Sequence, residues 1–180
     1  TYSNPVTDFS LPDPTVIRAD DGMFYLYATE DIRNMPIVRS ADLVDWEVVD
    51  TVFTRETRPL FEPRGGLWAP DINRIGDKYV LYYSISRWGG VNTCGIGVSV
   101  ADDPAGPFTD IGMMFRSNAI GVTNSIDPFY IEDGGHKYLL WGSFHGIYAI
   151  ELTNNGLAVM PGAEKVRIAG NAYEAHYIQK

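Results

Sequence analysis

Cysteine is almost missing from this 180-residue chain. Cys94 stands alone, so no internal disulfide can form. Between Thr93 and Gly95, at a strand entry, it reads as a small buried residue. Basic side chains are also scarce: 14 Lys and Arg against 23 Asp and Glu leave a net charge of −9. No basic patch exists to neutralise phosphates, which argues against nucleic acid or an anionic membrane as partner. A neutral ligand such as a sugar is compatible. No apolar run reaches the roughly 18 residues of a membrane-spanning helix. His, Cys and carboxylates nowhere fall at metal-ligand spacing. No segment has convincing helical periodicity; Glu30 to Asn34 could form a single turn.

What the chain does have is aromatic residues (13%), 18 glycines and 11 prolines in a 45% hydrophobic sequence, which suits an all-β fold with a sizeable core. An acid at the mouth of a short apolar run recurs. It appears in Pro12-Asp13-Pro14-Thr15-Val16-Ile17, in Trp68-Ala69-Pro70-Asp71-Ile72, in Asn124-Ser125-Ile126-Asp127-Pro128-Phe129 and in Ala172-Tyr173-Glu174-Ala175-His176. Asp13, Asp71, Asp127 and Glu174 are 58, 56 and 47 residues apart, the spacing of a repeat architecture.

After each of the first three acids comes a glycine turn and an aromatic strand. Asp21-Gly22 precedes Met23 to Ala28, Gly76-Asp77 precedes Tyr79 to Ser84, and Gly134-Gly135 precedes Tyr138 to Ser143. Ile37 to Ser40 with Trp46 to Val49 then matches Ile96 to Ser99 with Pro107 to Asp110, and Gly146 to Leu152 begins the third copy. Four short strands at a period near fifty predict β-propeller blades. The expected blades are 13–53, 68–115 and 124–160, with a fourth beginning near 172, all in one domain over 1–180. Three blades and a start leave an open flank, so the expectation is a piece of a longer chain whose remaining blades are missing here.

The first strand of each propeller blade lines the central channel, so these acids point at one funnel. Two carboxylates can hydrolyse a glycosidic bond: one protonates the leaving oxygen, the other takes a proton from water. A separation of roughly 6.5–9.5 Å leaves room for that water and gives inversion. A third carboxylate nearby raises the acid's pKa. Asp-Pro is also a turn dipeptide, and Asp caps turns by accepting from backbone amides. The pattern by itself therefore gives an acid-lined funnel and only suggests hydrolysis. Asp71, without a following proline, reads as structural or substrate-contacting.

The four acid blocks together resemble the signature blocks of glycoside hydrolase family 43. Leu81 to Ser86 and Trp141 to Ile147 are most similar to its arabinanase branch. The resemblance implies a five-bladed propeller and an inverting mechanism on arabinan-type plant polysaccharide. In it Asp13 is the general base, Glu174 the general acid, and Asp127 the residue that tunes and orients the acid. Exo-acting α-L-arabinofuranosidase or β-xylosidase activity is the alternative within the family. A non-catalytic carbohydrate-binding propeller is the alternative outside it.

Trp68, Trp88 and Phe144 are candidates to stack on sugar faces. Asn124 and Ser143 are candidates to bond sugar hydroxyls. Two departures stand out: His176 occupies the place of the family's usual proline after the acid, and His145 a place often held by an aromatic, where it could alter subsite preference. The loops 54–67 and 86–93 are expected to form the rim. Trp46 and Trp141 are assigned to the core and His136 to a solvated hairpin. The chemistry needs no cofactor; a structural calcium ion is implied through residues outside this chain. No signal peptide is visible at Thr1-Tyr2, where the chain starts as a trimmed sequence would. A secreted, periplasmic or cell-surface location is expected.

Overall fold

The computed structural model describes residues 2–179. Their strands gather into three four-stranded antiparallel sheets. The first holds β1 (Thr15–Arg18), β2 (Phe24–Tyr27), β3 (Pro36–Ser40) and β4 (Trp46–Thr51). The second holds β5 (Gly66–Ile75), β6 (Lys78–Ser86), β7 (Gly95–Ala101) and β8 (Thr109–Arg116). The third holds β9 (Phe129–Asp133), β10 (His136–Trp141), β11 (Ile147–Leu152) and β12 (Val166–Ala169). Each is a meander in which strands adjacent in sequence pair in space. This is the all-β propeller architecture expected from the repeat, with three blades in this chain.

Strand β6 explains the packing. All but its first residue are buried, so it reads as an unbroken apolar run rather than an alternation. Side chains still point to opposite faces in turn. Tyr79, Leu81, Tyr83 and Ile85 enter the core shared with Tyr25, Tyr27 and Ile37 of the first sheet. Val80 and Tyr82 enter the core shared with Leu139, Trp141 and Ile150 of the third. The middle blade is thus packed on both sides. Tyrosine hydroxyls tie the faces: Tyr27 Oη donates to Pro104 O at 2.5 Å, and Tyr82 Oη to Gly156 O at 2.8 Å. Gly97 on β7 lies under the Tyr83 ring, where a Cβ would come within 2.3 Å of Tyr83 Cζ. Only glycine fits there.

Three sequence expectations change. The third sheet takes its fourth strand from Val166–Ala169, past residue 160, because the chain first makes an excursion closed by a Leu152–Val159 bridge. One short helix exists, α1 (Ser117–Ile120), a single turn ended by Gly121 in the left-handed region. Trp141 is fully buried, whereas Trp46 is only half-buried, packed beside Phe9 and Leu11.

The hairpin turns after β1, β5 and β9 lie at one end of the sheets. The starts of β1 and β9 and the ends of β2, β6 and β10 therefore meet at the opposite end, and the acid segments are there. A buried ion pair braces that end. Arg58 Nη1 donates to Glu30 Oε2 at 2.6 Å, and the amides of Asn34 and Leu67 donate to the same carboxylate at 2.9 and 3.0 Å. Burial pushes Glu30 up, but the Arg58 guanidinium and these amides outweigh it and leave its pKa below the ordinary range. The linker after β4 is thereby fixed to both β2 and β5.

Candidate active site

Asp13 directly precedes β1 and is exposed. Its neighbour Pro12 accepts from the Thr29 amide at 2.9 Å, and its own Oδ2 accepts from Thr29 Oγ1 at 2.7 Å. Asp127 precedes β9, with its amide donating to Ser84 Oγ at 3.0 Å. Its Oδ2 accepts from the Ala175 amide at 3.4 Å, one residue past Glu174. Glu174 lies in the segment after β12, where Ser143 Oγ donates to its Oε2 at 3.0 Å and the Phe144 amide donates to Tyr173 O at 2.9 Å. Each acid segment is thus held by a residue near the end of β2, β6 or β10.

Burial dominates the electrostatics of Asp127. Burial raises Asp127 to about 6; the Ala175 amide opposes this, and the negative charges of Glu174 and Asp13 add to it.

Backbone strain is concentrated in the same place. Nine non-glycine residues among those described have positive φ, from 38° to 72°. Six of them, Asp13, Ala69, Asn124, Asp127, Phe144 and Ala175, belong to the acid segments or to segments bonded to them. Such conformations cost of the order of 1–3 kcal/mol each and persist where the surroundings hold them. Gly142, at φ 127°, is needed beside Ser143: a Cβ there would stand 2.2 Å from Gly146 O.

The remaining candidates fall into two groups. Trp88 is 94% exposed on the loop after β6, its ring 5.5 Å from that of half-buried Trp68. Phe144, 53% exposed, and exposed His145 stand on the loop after β10, next to the Glu174 segment. These four present surface. Asn124, Ser143 and Asp71 have their polar atoms engaged within the protein. Asn124 Nδ2 donates to Ser143 O at 3.3 Å. Ser143 is buried on Glu174. Asp71 Oδ2 accepts from the Tyr130 amide at 2.7 Å and from Asn73 Nδ2 at 2.8 Å, joining β5 to β9. Burial raises Asp71 to about 7 against these two bonds.

Two loops of the rim are clamped by Glu62, a buried carboxylate between Arg87 Nε (3.4 Å) and Arg116 Nη2 (3.5 Å). Among the described residues no group of three or more His, Cys, Asp or Glu could hold a metal ion.

Sequence reasoning missed Thr29, Ser84 and the burial of Ser143. The signal was present: each takes the same place after the aromatic run of its repeat, as Tyr27-Ala28-Thr29, Tyr82-Tyr83-Ser84 and Trp141-Gly142-Ser143. It also missed Glu62, which no local pattern marks.

Comparison with known proteins agrees with the fold. Residues 2–180 match Glycosyl hydrolases family 43. The chain is 31% identical to a protein named probable arabinan endo-1,5-alpha-L-arabinosidase A of Aspergillus clavatus, over 99% of this chain and 56% of that one. It is 34% identical to extracellular endo-alpha-(1->5)-L-arabinanase 1 of Bacillus subtilis, over 74% of this chain and 43% of the relative. It superposes with a TM-score of 0.79 and 29% identity on the Cellvibrio cellulosa alpha-L-arabinanase solved with arabinohexaose, covering 94% of this chain and 59% of that structure. An exo-1,5-alpha-L-arabinanase from a bovine ruminal metagenomic library gives 0.75 at 30% identity, over 97% and 62%. The chain spans little more than half the length of the relatives it matches. Its family match over nearly every residue makes it a member of glycosyl hydrolase family 43.

Proposed function

We propose that this chain carries the catalytic carboxylates of an inverting hydrolase acting on α-L-arabinosidic linkages of arabinan. The observation that carries the reading is the setting of Asp127, bonded to the Ala175 amide and subject to the charges of both Glu174 and Asp13. Three acids from distant segments in one opening are what the chemistry needs. Glu174 gives its proton to the glycosidic oxygen as that bond breaks. Asp13 takes a proton from the water that attacks the anomeric carbon from the opposite face. Asp127 accepts from the Ala175 amide and so orients the turn that carries the acid.

Trp68 and Trp88, at 5.5 Å, and exposed Phe144 offer faces on which sugar rings stack, and His145 stands at the same rim. The similarity to proteins named arabinan endo-1,5-alpha-L-arabinosidase A and alpha-L-arabinanase supports arabinan as substrate. The extracellular naming of the Bacillus subtilis relative supports a secreted location. Turnover of linear arabinan by the purified protein, with Asp13→Asn and Glu174→Gln beside it, tests the assignment. Loss of at least about a hundredfold in each variant is expected. Unchanged turnover in both would remove these residues from the mechanism, and no turnover by the unmodified protein, with retained affinity for arabino-oligosaccharides, would leave a binding propeller.

A further inference from the structure

One position of the repeat bears on all three acids. The equivalent residue near the end of the second strand of each blade is Thr29, Ser84 or Ser143: two residues past β2 and β10, and two before the end of β6. Each carries a hydroxyl, and each hydroxyl reaches an acid segment: Thr29 bonds Asp13, Ser84 bonds Asp127, and Ser143 bonds Glu174. The last two bonds cross from one blade to the segment that follows it in the chain. Ser84 and Ser143 are buried, so these are not surface groups that happen to be in range.

The bonding pattern also fixes the direction of the Thr29 proton. Thr29 Oγ1 accepts from the Ala69 amide at 2.7 Å, an N–H that can only donate. The Thr29 hydroxyl proton is then directed to Asp13 Oδ2, also at 2.7 Å. Ser84 acts differently: its oxygen accepts from the Asp127 amide, fixing the backbone of a residue held at φ 57°. Ser143 donates to Glu174 Oε2, which leaves Oε1 to carry the proton that is transferred.

We propose that Thr29 and Ser143 are the positioning residues of the general base and the general acid, and that Ser84 does the same for Asp127 through its backbone. This rests on the roles proposed above for the three acids. Thr29 holds one oxygen of Asp13 and leaves the other for the attacking water. Ser143 selects which oxygen of Glu174 is protonated. A hydroxyl donated to a carboxylate favours the ionised form, so removing it raises that acid's pKa. Asp127 is the charged group that faces both Asp13 and Glu174, and it is unchanged in these variants.

The test is the pH dependence of kcat/KM on linear arabinan for Thr29→Val, Thr29→Ser, Ser143→Ala and Ser143→Thr, each first checked for a native circular dichroism spectrum. Thr29→Val is expected to lower kcat about ten- to a hundredfold, keep KM within about twofold, and move the acidic limb to higher pH. Ser143→Ala is expected to lower kcat similarly and move the alkaline limb to higher pH. Thr29→Ser restores the profile, because it keeps the hydroxyl at the same position. Ser143→Thr supplies the second arm if Ser143→Ala does not fold. A rise in KM at constant kcat would make Ser143 a sugar-binding residue and overturn the proposal for it. A fall in kcat with both limbs in place would reduce the hydroxyls to structural groups. If Asp13→Asn keeps its turnover, the underlying roles fail, whatever the hydroxyl variants do.

Discussion

At the scale of single residues, chemistry is set by how each titratable group is held. Asp127 and Glu30 are shifted in opposite directions, and their effects on stability have opposite sign. Folded Asp127 keeps its proton up to about pH 6, while the unfolded chain loses it near the ordinary aspartate value of 3.8. In that window the native state binds more protons, so stability contributed by this group falls as pH rises. Asp127→Asn removes that slope, which urea titrations between pH 4 and 6 would measure. Glu30 is held below its ordinary 4.5. Its contribution is present above that value and is lost as pH falls through the folded pKa. Glu30→Gln therefore costs most at neutral pH and least in acid. Breaking its buried pair by Arg58→Ala is expected to cost roughly 3–5 kcal/mol, read by denaturant unfolding.

His176 is a different case. Both ring nitrogens are buried, with the Leu140 backbone near but no hydrogen bond of good geometry among the described residues; the ring meets Phe129 edge-on at 6.2 Å, and burial lowers its pKa against the Leu140 contact. Replacing an unsatisfied buried group by an apolar one of similar shape is neutral or stabilising. His176→Phe should leave thermal stability unchanged or raised, and a loss of more than about 1 kcal/mol would mean that the nitrogens are paired.

At the scale of elements, the sequence was legible where strands are buried and opaque where they are not. β6 and the end of β10 announce themselves as aromatic runs after glycine turns because their positions are buried. β12 has no such signal: three of its four residues are exposed, so no periodic burial marks it. α1 is one turn whose N-terminus has no side-chain cap, so the usual start pattern is missing. The rim was legible as two loops, but the clamp that joins them was not, since Glu62, Arg87 and Arg116 are far apart in sequence. Releasing that clamp frees the loop that carries Trp88. Glu62→Gln is expected to raise KM for long arabino-oligosaccharides several-fold and to change KM for arabinobiose little. Equal effects on both lengths would detach the clamp from the rim aromatics.

At the scale of the whole molecule, three blades deliver acids from segments 13, 127 and 174 to one end of the sheets. The repeat made that arrangement legible: recurrence of equivalent positions at a similar period means equivalent places in successive blades. It did not reveal which acids face the opening. Asp71 obeys the same spacing, yet its carboxylate joins β5 to β9 by accepting the Tyr130 amide. The difference lies in register. Asp13 and Asp127 precede their strands, while Asp71 lies inside β5, past a bulge between Trp68 and Asp71.

The central claim is that Asp13 and Glu174 act from opposite sides of a bound sugar with a water between them. The most direct measurement is proton NMR of the reducing-end anomer released in the first minutes of arabino-oligosaccharide hydrolysis. The account predicts a β-anomer from the α-linkage, mutarotating afterwards. An α-anomer as first product would mean a covalent intermediate and carboxyls too close for a water, and would contradict it.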